Sequence, residues 1–342
     1  MAFINAAHHA MTSVAEDDYA AQDIHADDVS DPGYESANEP GADDFMSLSS
    51  SIRDFEFENS RRYHKYKEGQ YNFPNDDWEL EREDMKHAMV VHICDGKLHS
   101  APLDNPQKIL DVGTGTGIWA IDMGDEYPEA SVVGIDLSPI QPDFIPSNVR
   151  FLVDDAEADW VYPDGNFDYV HLRNMAPSIR NWPALFAEAY RVLKPGGWIE
   201  LQEMRWAYGC DDGTMRPDYA PVQMVSNIKE ALARLDVDMY AAERYPEHAA
   251  AAGFVNGRHV VKKVPVGPWP KDPKMKKIGE YCRAVIHDGL HAITIGPFTR
   301  GLGWSPTKVD DFLVEVQRDL LDSSVHSYVY FHSLFTQKPY DD

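Results

Sequence analysis

The sequence predicts an α/β fold, a mostly parallel sheet with helices on both faces. Three observations carry this. Strand-like and helix-like stretches alternate through five cycles between residues 108 and 201. A glycine turn, Gly113-Thr114-Gly115-Thr116-Gly117, joins the first of these strands to its helix. A carboxylate, Asp136, ends the second strand, where a doubly wound sheet opens its ligand crevice.

The first strand is supplied by Ile109 and Leu110, and Ile118, Trp119, Ala120 and Ile121 begin the helix that follows. Glycines at alternate positions let the backbone pass close to a ligand, with the N–H groups of the helix start facing it. A dinucleotide fingerprint would need glycine at position 118, where Ile118 stands, so the spacing argues against NAD. Asp111, just before the first glycine, would repel a pyrophosphate and suits a cationic or hydroxyl-rich ligand.

The second strand, Ser131 to Asp136, carries its acid 19 residues beyond Gly117, where a carboxylate can accept both hydrogen bonds of a ribose diol. A third strand from Val149 to Val153 leads into Asp154-Asp155-Ala156, within reach of an adenine amine. A fourth, Phe167 to Leu172, ends at Arg173-Asn174. The helix from Pro183 to Leu193 has Leu185, Phe186, Ala189 and Val192 on one face, and Pro195-Gly196-Gly197 turns the chain into the strand Trp198 to Leu201.

Residues 1 to 52 contain no Lys or Arg and carry eleven acids. Too few large apolar side chains lie among them to offset the ordering entropy, so residues 1–50 are expected to form a disordered acidic leader that can serve as an interaction tail. Residues 51–106 are expected to form an aromatic and charged helical N-terminal segment, broken by Gly69 and Pro74, in which Glu79 to Leu98 reads as a helix on the stripe Leu80, Met85, Met89, Val90 and Ile93. Residues 107–342 form the main domain, with a helical insertion over about 206–325 that covers the substrate. Downstream, helical stripes run from Val222 to Leu235, Met275 to Ile286 and Val309 to Leu320. Strands are expected over Phe254 to Val266 and His326 to Phe335.

The formal charge of −26 and a pI near 4.8 count against nucleic acid as a partner, because such binding depends on Lys and Arg neutralising phosphates. No run of 18 apolar residues predicts a membrane span, and the N-terminus shows neither a secretory signal nor a transit peptide. An intracellular protein is expected, cytoplasmic or nuclear. Cys94, Cys210 and Cys282 are odd in number and widely spaced, so they read as reduced thiols with no metal role.

From about Ser51 onward the chain resembles the fungal LaeA-like methyltransferases. The residues that carry the likeness are Arg62-Tyr63-His64 with Lys67-Glu68-Gly69 and Tyr71, the run Asp111 to Ala120, Asp136 to Pro142, Asp154 to Glu157 with Trp160, and Leu193 to Glu203. The resemblance implies a class I methyltransferase, Rossmann-like fold with a seven-stranded sheet whose last strand is antiparallel. It also implies S-adenosylmethionine lying across the ends of strands one, two and four, with a lid over it from Tyr63 to Asp76. The family includes enzymes that tailor fungal secondary metabolites and nuclear regulators of secondary-metabolite gene clusters.

The cofactor-binding candidates are Tyr63 and Tyr71 in the lid, Gly113, Thr114, Gly115 and Gly117 in the turn, Asp111 near the methionine ammonium, and Asp136 with Leu137 at the ribose. Asp155 with Ala156 is assigned to the adenine. Arg173 either touches the methionine carboxylate or forms a surface ion pair. Methyl transfer from a sulfonium is an in-line displacement that needs alignment and dryness, and needs a base only when the acceptor still holds its proton. Candidates for that base are His171, Glu203, His287 and His291. The His287/His291 pair is a distant echo of a zinc helix, but Asp288 and Gly289 break the motif and no metal is expected. Trp206, Tyr208, Trp269 and Trp304 are candidates for an apolar acceptor pocket.

The expected function is transfer of a methyl group to oxygen or nitrogen of a small secondary metabolite. The alternatives are a LaeA-like nuclear regulator acting through protein partners, and a body that uses the sulfonium to promote a rearrangement.

Overall fold

The structure is a computed structural model that describes residues 55–58, 61–64 and 73–341. The acidic leader, Tyr71 and the middle of the expected lid lie outside the described residues.

Seven strands form one sheet in the order β5-β4-β3-β6-β7-β9-β8. They are β3 (Lys108–Val112), β4 (Ser131–Asp136), β5 (Val149–Val153), β6 (Phe167–Arg173), β7 (Leu193–Gly209), β8 (Val255–Pro265) and β9 (Tyr328–Gln337). β3 pairs in parallel with β4 and β6, β4 with β5, and β6 with β7, while β9 runs antiparallel between β7 and β8. The order reverses at β3, so the crevice opens between the C-terminal ends of β3 and its neighbours β4 and β6. This is the Rossmann-like methyltransferase arrangement that the sequence predicts.

The strands read as continuous apolar runs because helices cover both faces. Ile109, Leu110 and Val112 of β3 are fully buried, as are Val132, Val133 and Ile135 of β4. On one face α2 (Ile118–Glu126) presses Trp119, Ala120 and Met123 against Ile109 and Val132. On the other, α3 (Trp182–Val192) and α5 (Tyr245–Ala252) pack Leu185, Phe186 and Tyr245 over Val170, Leu172 and Ile199.

A second apolar core lies beside the sheet, built by α1 (Asp77–Ile93), α4 (Ala220–Ala233), α6 (Pro273–Gly296) and α7 (Pro306–Leu320) against β7, β8 and β9. Three of these four helix starts carry a side-chain cap. Asp76 caps the Glu79 N–H at 3.2 Å, Asp272 caps that of Met275 at 2.8 Å, and Ser305 caps that of Lys308 at 3.3 Å. Pro273 and Pro306 sit in the first turns, where their missing N–H costs nothing.

Two expectations are corrected. The N-terminal segment opens with a hairpin, β1 (Phe55–Glu58) and β2 (Arg61–His64), paired antiparallel from Phe55↔His64 to Glu58↔Arg61, and only α1 is helical. Phe-Glu-Phe-Glu alternates with period two, which a helix cannot use. The stretch 206–325 is also no single helical insertion, because β8 lies inside it and belongs to the sheet. Two separate helical excursions, before and after β8, supply the cover.

Candidate active site

The three turn glycines all have positive φ, at 72°, 57° and 82°, yet each answers a different need. A Cβ on Gly113 would strike the Met175 sulfur, and one on Gly117 would enter the Phe151 ring. A Cβ on Gly115 would meet nothing within 4 Å. Gly115 therefore borders open space, and that space is a cleft of about 1020 Å³ with the solvent at its mouth included. A cradle that a side chain would partly fill, at the end of β3, is what a bound nucleoside needs.

Gly113, Asp136, Leu137, Asp155, Ala156 and Arg173 also line the cleft. The Asp136 carboxylate accepts the N–H of Gly115 and of Ser138, each at 2.9 Å. Burial pushes its pKa up to about 6, with the Asp111 carboxylate adding to the rise and the two N–H groups opposing it. Asp155 accepts the Glu157 N–H at 2.9 Å, which fixes the loop beyond β5 at the cleft edge. Arg173 bonds His87 Nδ1 through Nη2 at 2.9 Å, and His87 in turn meets Asp122 at 2.9 Å. Neither side of the sequence alternative for Arg173 anticipated that chain.

From above, the cleft is bounded by the segment before the sheet. Pro74, Asn75, Glu79, Leu80 and Glu83 form this wall. Asn75 donates to the Ser138 hydroxyl at 3.3 Å, and Arg62 donates to the Asn75 carbonyl at 2.6 Å, tying the wall to the loop after β4. Tyr63 does not line the cleft; it is buried, with the Arg300 guanidinium 5.2 Å over its ring.

Beneath the glycine turn sits a smaller cavity, bordered by Asp111, Thr114, Trp119 and His171. Thr114 donates to one Asp111 oxygen at 2.6 Å, and His171 Nδ1 meets the other at 2.8 Å. The His171 ring stacks on Trp119 at 3.6 Å, and burial lowers its pKa. Each Asp111 oxygen is thus held by one bond, with acceptor capacity left toward the cavity it lines. His171 and Thr114 brace the turn, which places His171 beneath it and outside the lining of the larger cleft.

A second chamber, of about 860 Å³, adjoins the cleft. Its walls include Met204, Trp206 and Tyr208 of β7, Met224 and Ile228 of α4, and Val285 and Ile286 of α6. Four residues line both spaces: Glu79, Glu83 and Lys86 of α1, and Asn174 at the end of β6. The two spaces meet along these four side chains.

Glu203 lines this chamber at 3% exposure. Its Oε2 accepts the Ala176 N–H at 2.9 Å, and burial pushes the carboxyl up to about 7 against the pull of that amide, of the Lys86 charge, of the Met175 amide and of the Tyr245 hydroxyl. A carboxyl poised at neutral pH, in an apolar chamber, has the properties of a general base.

His287 and His291 lie elsewhere, about a third exposed on the face of α6 toward α7. His287 bonds Asp288 and Gln317 at 2.9 and 2.8 Å, and His291 lies 3.8 Å from Asp310. The helical period that turns Val285, Ile286 and Ile293 inward turns these two away. Trp269, which donates to the Ser327 carbonyl, and Trp304, packed on Phe298, are likewise outside the chamber. Among the described residues no group of His, Cys, Asp and Glu could hold a metal, and no helix is long and apolar enough to cross a membrane.

The charges of α1 escaped the sequence reading altogether. Glu79, Arg82, Glu83 and Lys86 recur at intervals of three, one and three, the spacing of an ordinary solvated helix face with alternating signs. Asn174, at φ 57°, was legible only as a strand end.

Residues 85–259 match a family model described as a methyltransferase domain. The chain belongs to this methyltransferase family. Methyltransferase pytC of Aspergillus terreus is 43% identical over 298 residues, covering 86% of this chain and 91% of its own length. Secondary metabolism regulator LAE1 of Cochliobolus heterostrophus is 38% identical, over 82% of this chain and 94% of its own. Secondary metabolism regulator laeA of Aspergillus flavus is 31% identical, over 88% and 82%. The chain is thus an S-adenosylmethionine-dependent methyltransferase, as its motifs predict, and two of these relatives are named as secondary metabolism regulators.

Proposed function

We propose that the methyltransferase modifies a small, largely apolar secondary metabolite at oxygen or nitrogen. One observation carries the reading: an apolar chamber shares Glu79, Glu83, Lys86 and Asn174 with the cleft that begins at the glycine turn. S-adenosylmethionine supplies a methyl group made electrophilic by its sulfonium. Gly113 and Gly115 give it backbone clearance, Asp136 with Leu137 takes the ribose, Asp155 with Ala156 the adenine, and Glu83 and Arg173 face its methionine end. The chamber orients the acceptor and keeps water out, and orientation of this kind is worth ~7–11 kcal/mol in favourable cases. Glu203 receives the acceptor's proton where one must leave.

The relatives named as secondary metabolism regulators support a second reading, in which the acceptor is a protein or the body acts through partners met by its acidic leader. Incubation with a methyl-labelled donor and an extract of the source organism separates the two. A single labelled small molecule is expected. Label confined to protein would overturn the metabolite reading.

A further inference from the structure

The chamber's polar groups restrict what it can accept, and this restriction rests on the metabolite reading. Arg82 binds Glu79 through Nε at 3.0 Å and through Nη2, and its Nη2 also reaches Glu83 at 2.9 Å. Lys86 donates to the same Glu83 oxygen at 2.7 Å. Two carboxylates and two cations therefore neutralise one another along α1. Only one of the three Lys86 N–H bonds is engaged among the described residues, although the side chain is 12% exposed and borders both cleft and chamber. Its charge is also felt at Glu203 across the chamber.

We propose that Lys86 and Glu203 form a two-part site for a weakly acidic hydroxyl, an enol or phenol, on an otherwise apolar acceptor. Such a molecule enters uncharged, which the apolar walls favour. Its proton passes to Glu203, and the oxygen left negative lies beside the free N–H bonds of Lys86. That oxygen forms the new bond to the methyl carbon, and the electron pair of the broken carbon–sulfur bond returns to sulfur. A carboxylic acid would arrive already ionised, lose its hydration and face Glu79, Glu83 and Glu203. An amine, once deprotonated, is neutral and leaves Lys86 without a role. Only the weakly acidic hydroxyl uses both groups.

Four naphthalene probes test this on the full-length protein saturated with S-adenosylhomocysteine, by titration calorimetry at pH 7.5: 2-naphthol, 2-naphthoic acid, 2-naphthylmethylamine and 2-methylnaphthalene. The naphthol is expected to bind most tightly. Lys86→Met is expected to weaken it roughly tenfold or more, the loss of one charge-assisted hydrogen bond, and to leave 2-methylnaphthalene within about twofold. Lys86→Arg should keep most of the naphthol affinity.

The naphthoate or the amine binding more tightly than the naphthol overturns the proposal. So does equal weakening of naphthol and methylnaphthalene by Lys86→Met, no weakening of either, or no binding of any probe. Should Lys86→Met melt below the titration temperature, the ranking on the unaltered protein decides alone. Failure to bind S-adenosylhomocysteine itself would instead strike at the methyltransferase reading, and is measured first.

Discussion

Replacing Glu203 by Gln should flatten part of the pH dependence of stability. Glu203 is 3% exposed and its carboxyl is pushed from the ordinary 4.5 up to about 7, mainly by burial. Because the folded-state value is the higher one, the folded protein holds this proton more tightly than the unfolded chain. The contribution is fully present below pH 4.5 and is lost as pH rises through about 7. A shift of that size corresponds to at most ~3 kcal/mol, and relaxation around the charge leaves about 1–3 kcal/mol. Glu203→Gln keeps the side-chain oxygen that accepts the Ala176 N–H and removes the ionisable proton.

Urea unfolding of both proteins at pH 5, 6, 7 and 8 reads this directly. The variant should lie within about 1 kcal/mol of the parent at pH 5 and exceed it by about 1–3 kcal/mol at pH 8. Asp136, also raised, titrates in both proteins and cancels in the difference. Parallel curves would refute the argument, since they would mean that the carboxyl is solvated and unfit to take a proton in the chamber. The same variant should lower methylation of a hydroxyl acceptor by roughly 10²-fold or more at pH 7.5.

Asp136→Ala should abolish measurable S-adenosylhomocysteine binding by calorimetry while circular dichroism shows the fold retained; unchanged affinity would remove the ribose assignment. Gly115→Ala and Gly117→Ala should behave differently although both residues have positive φ. The first should cost ~1–2 kcal/mol of stability and much of the cofactor affinity, and the second should cost more stability because its Cβ meets Phe151. Denaturant midpoints and nucleoside titrations on both variants check the contrast. The double variant His287→Ala, His291→Ala should leave donor affinity and label transfer within about twofold, because both side chains face α7; a larger loss would place α6 in the chemistry.

The parallel sheet and the cofactor cleft were legible because their signals are local. Gly113 to Gly117 and Asp136 each announce themselves within a few residues, and Pro195-Gly196-Gly197 does the same for β7. The acceptor side was less legible because it is assembled from distant pieces. Glu203 and Trp206 come from β7, Ile228 from α4, Val285 from α6 and Lys86 from α1. Nothing near Lys86 in the chain distinguishes it from a solvated lysine until α1 lies across the ends of the strands. His171 misled for the opposite reason. Its place at a strand end was read correctly, but Asp111 and Trp119 hold it under the turn.

The wall that cleft and chamber share is carried mainly by one helix, and its first turns precede residue 85, where the match to the family model begins. Donor and acceptor sides therefore meet on one helix, whose Glu79, Glu83 and Lys86 border both spaces. Exchange of the short stretch Asp77 to Lys86 would alter both sides at once, because Thr116 of the glycine turn donates to Asp84 at 2.8 Å and Glu79 and Glu83 line the cleft with Asp136. A truncation at the start of the family match would remove the capped first turns of that helix, and one at its end would divide β8 and discard β9, so neither boundary marks a unit that could keep cleft, chamber and sheet together.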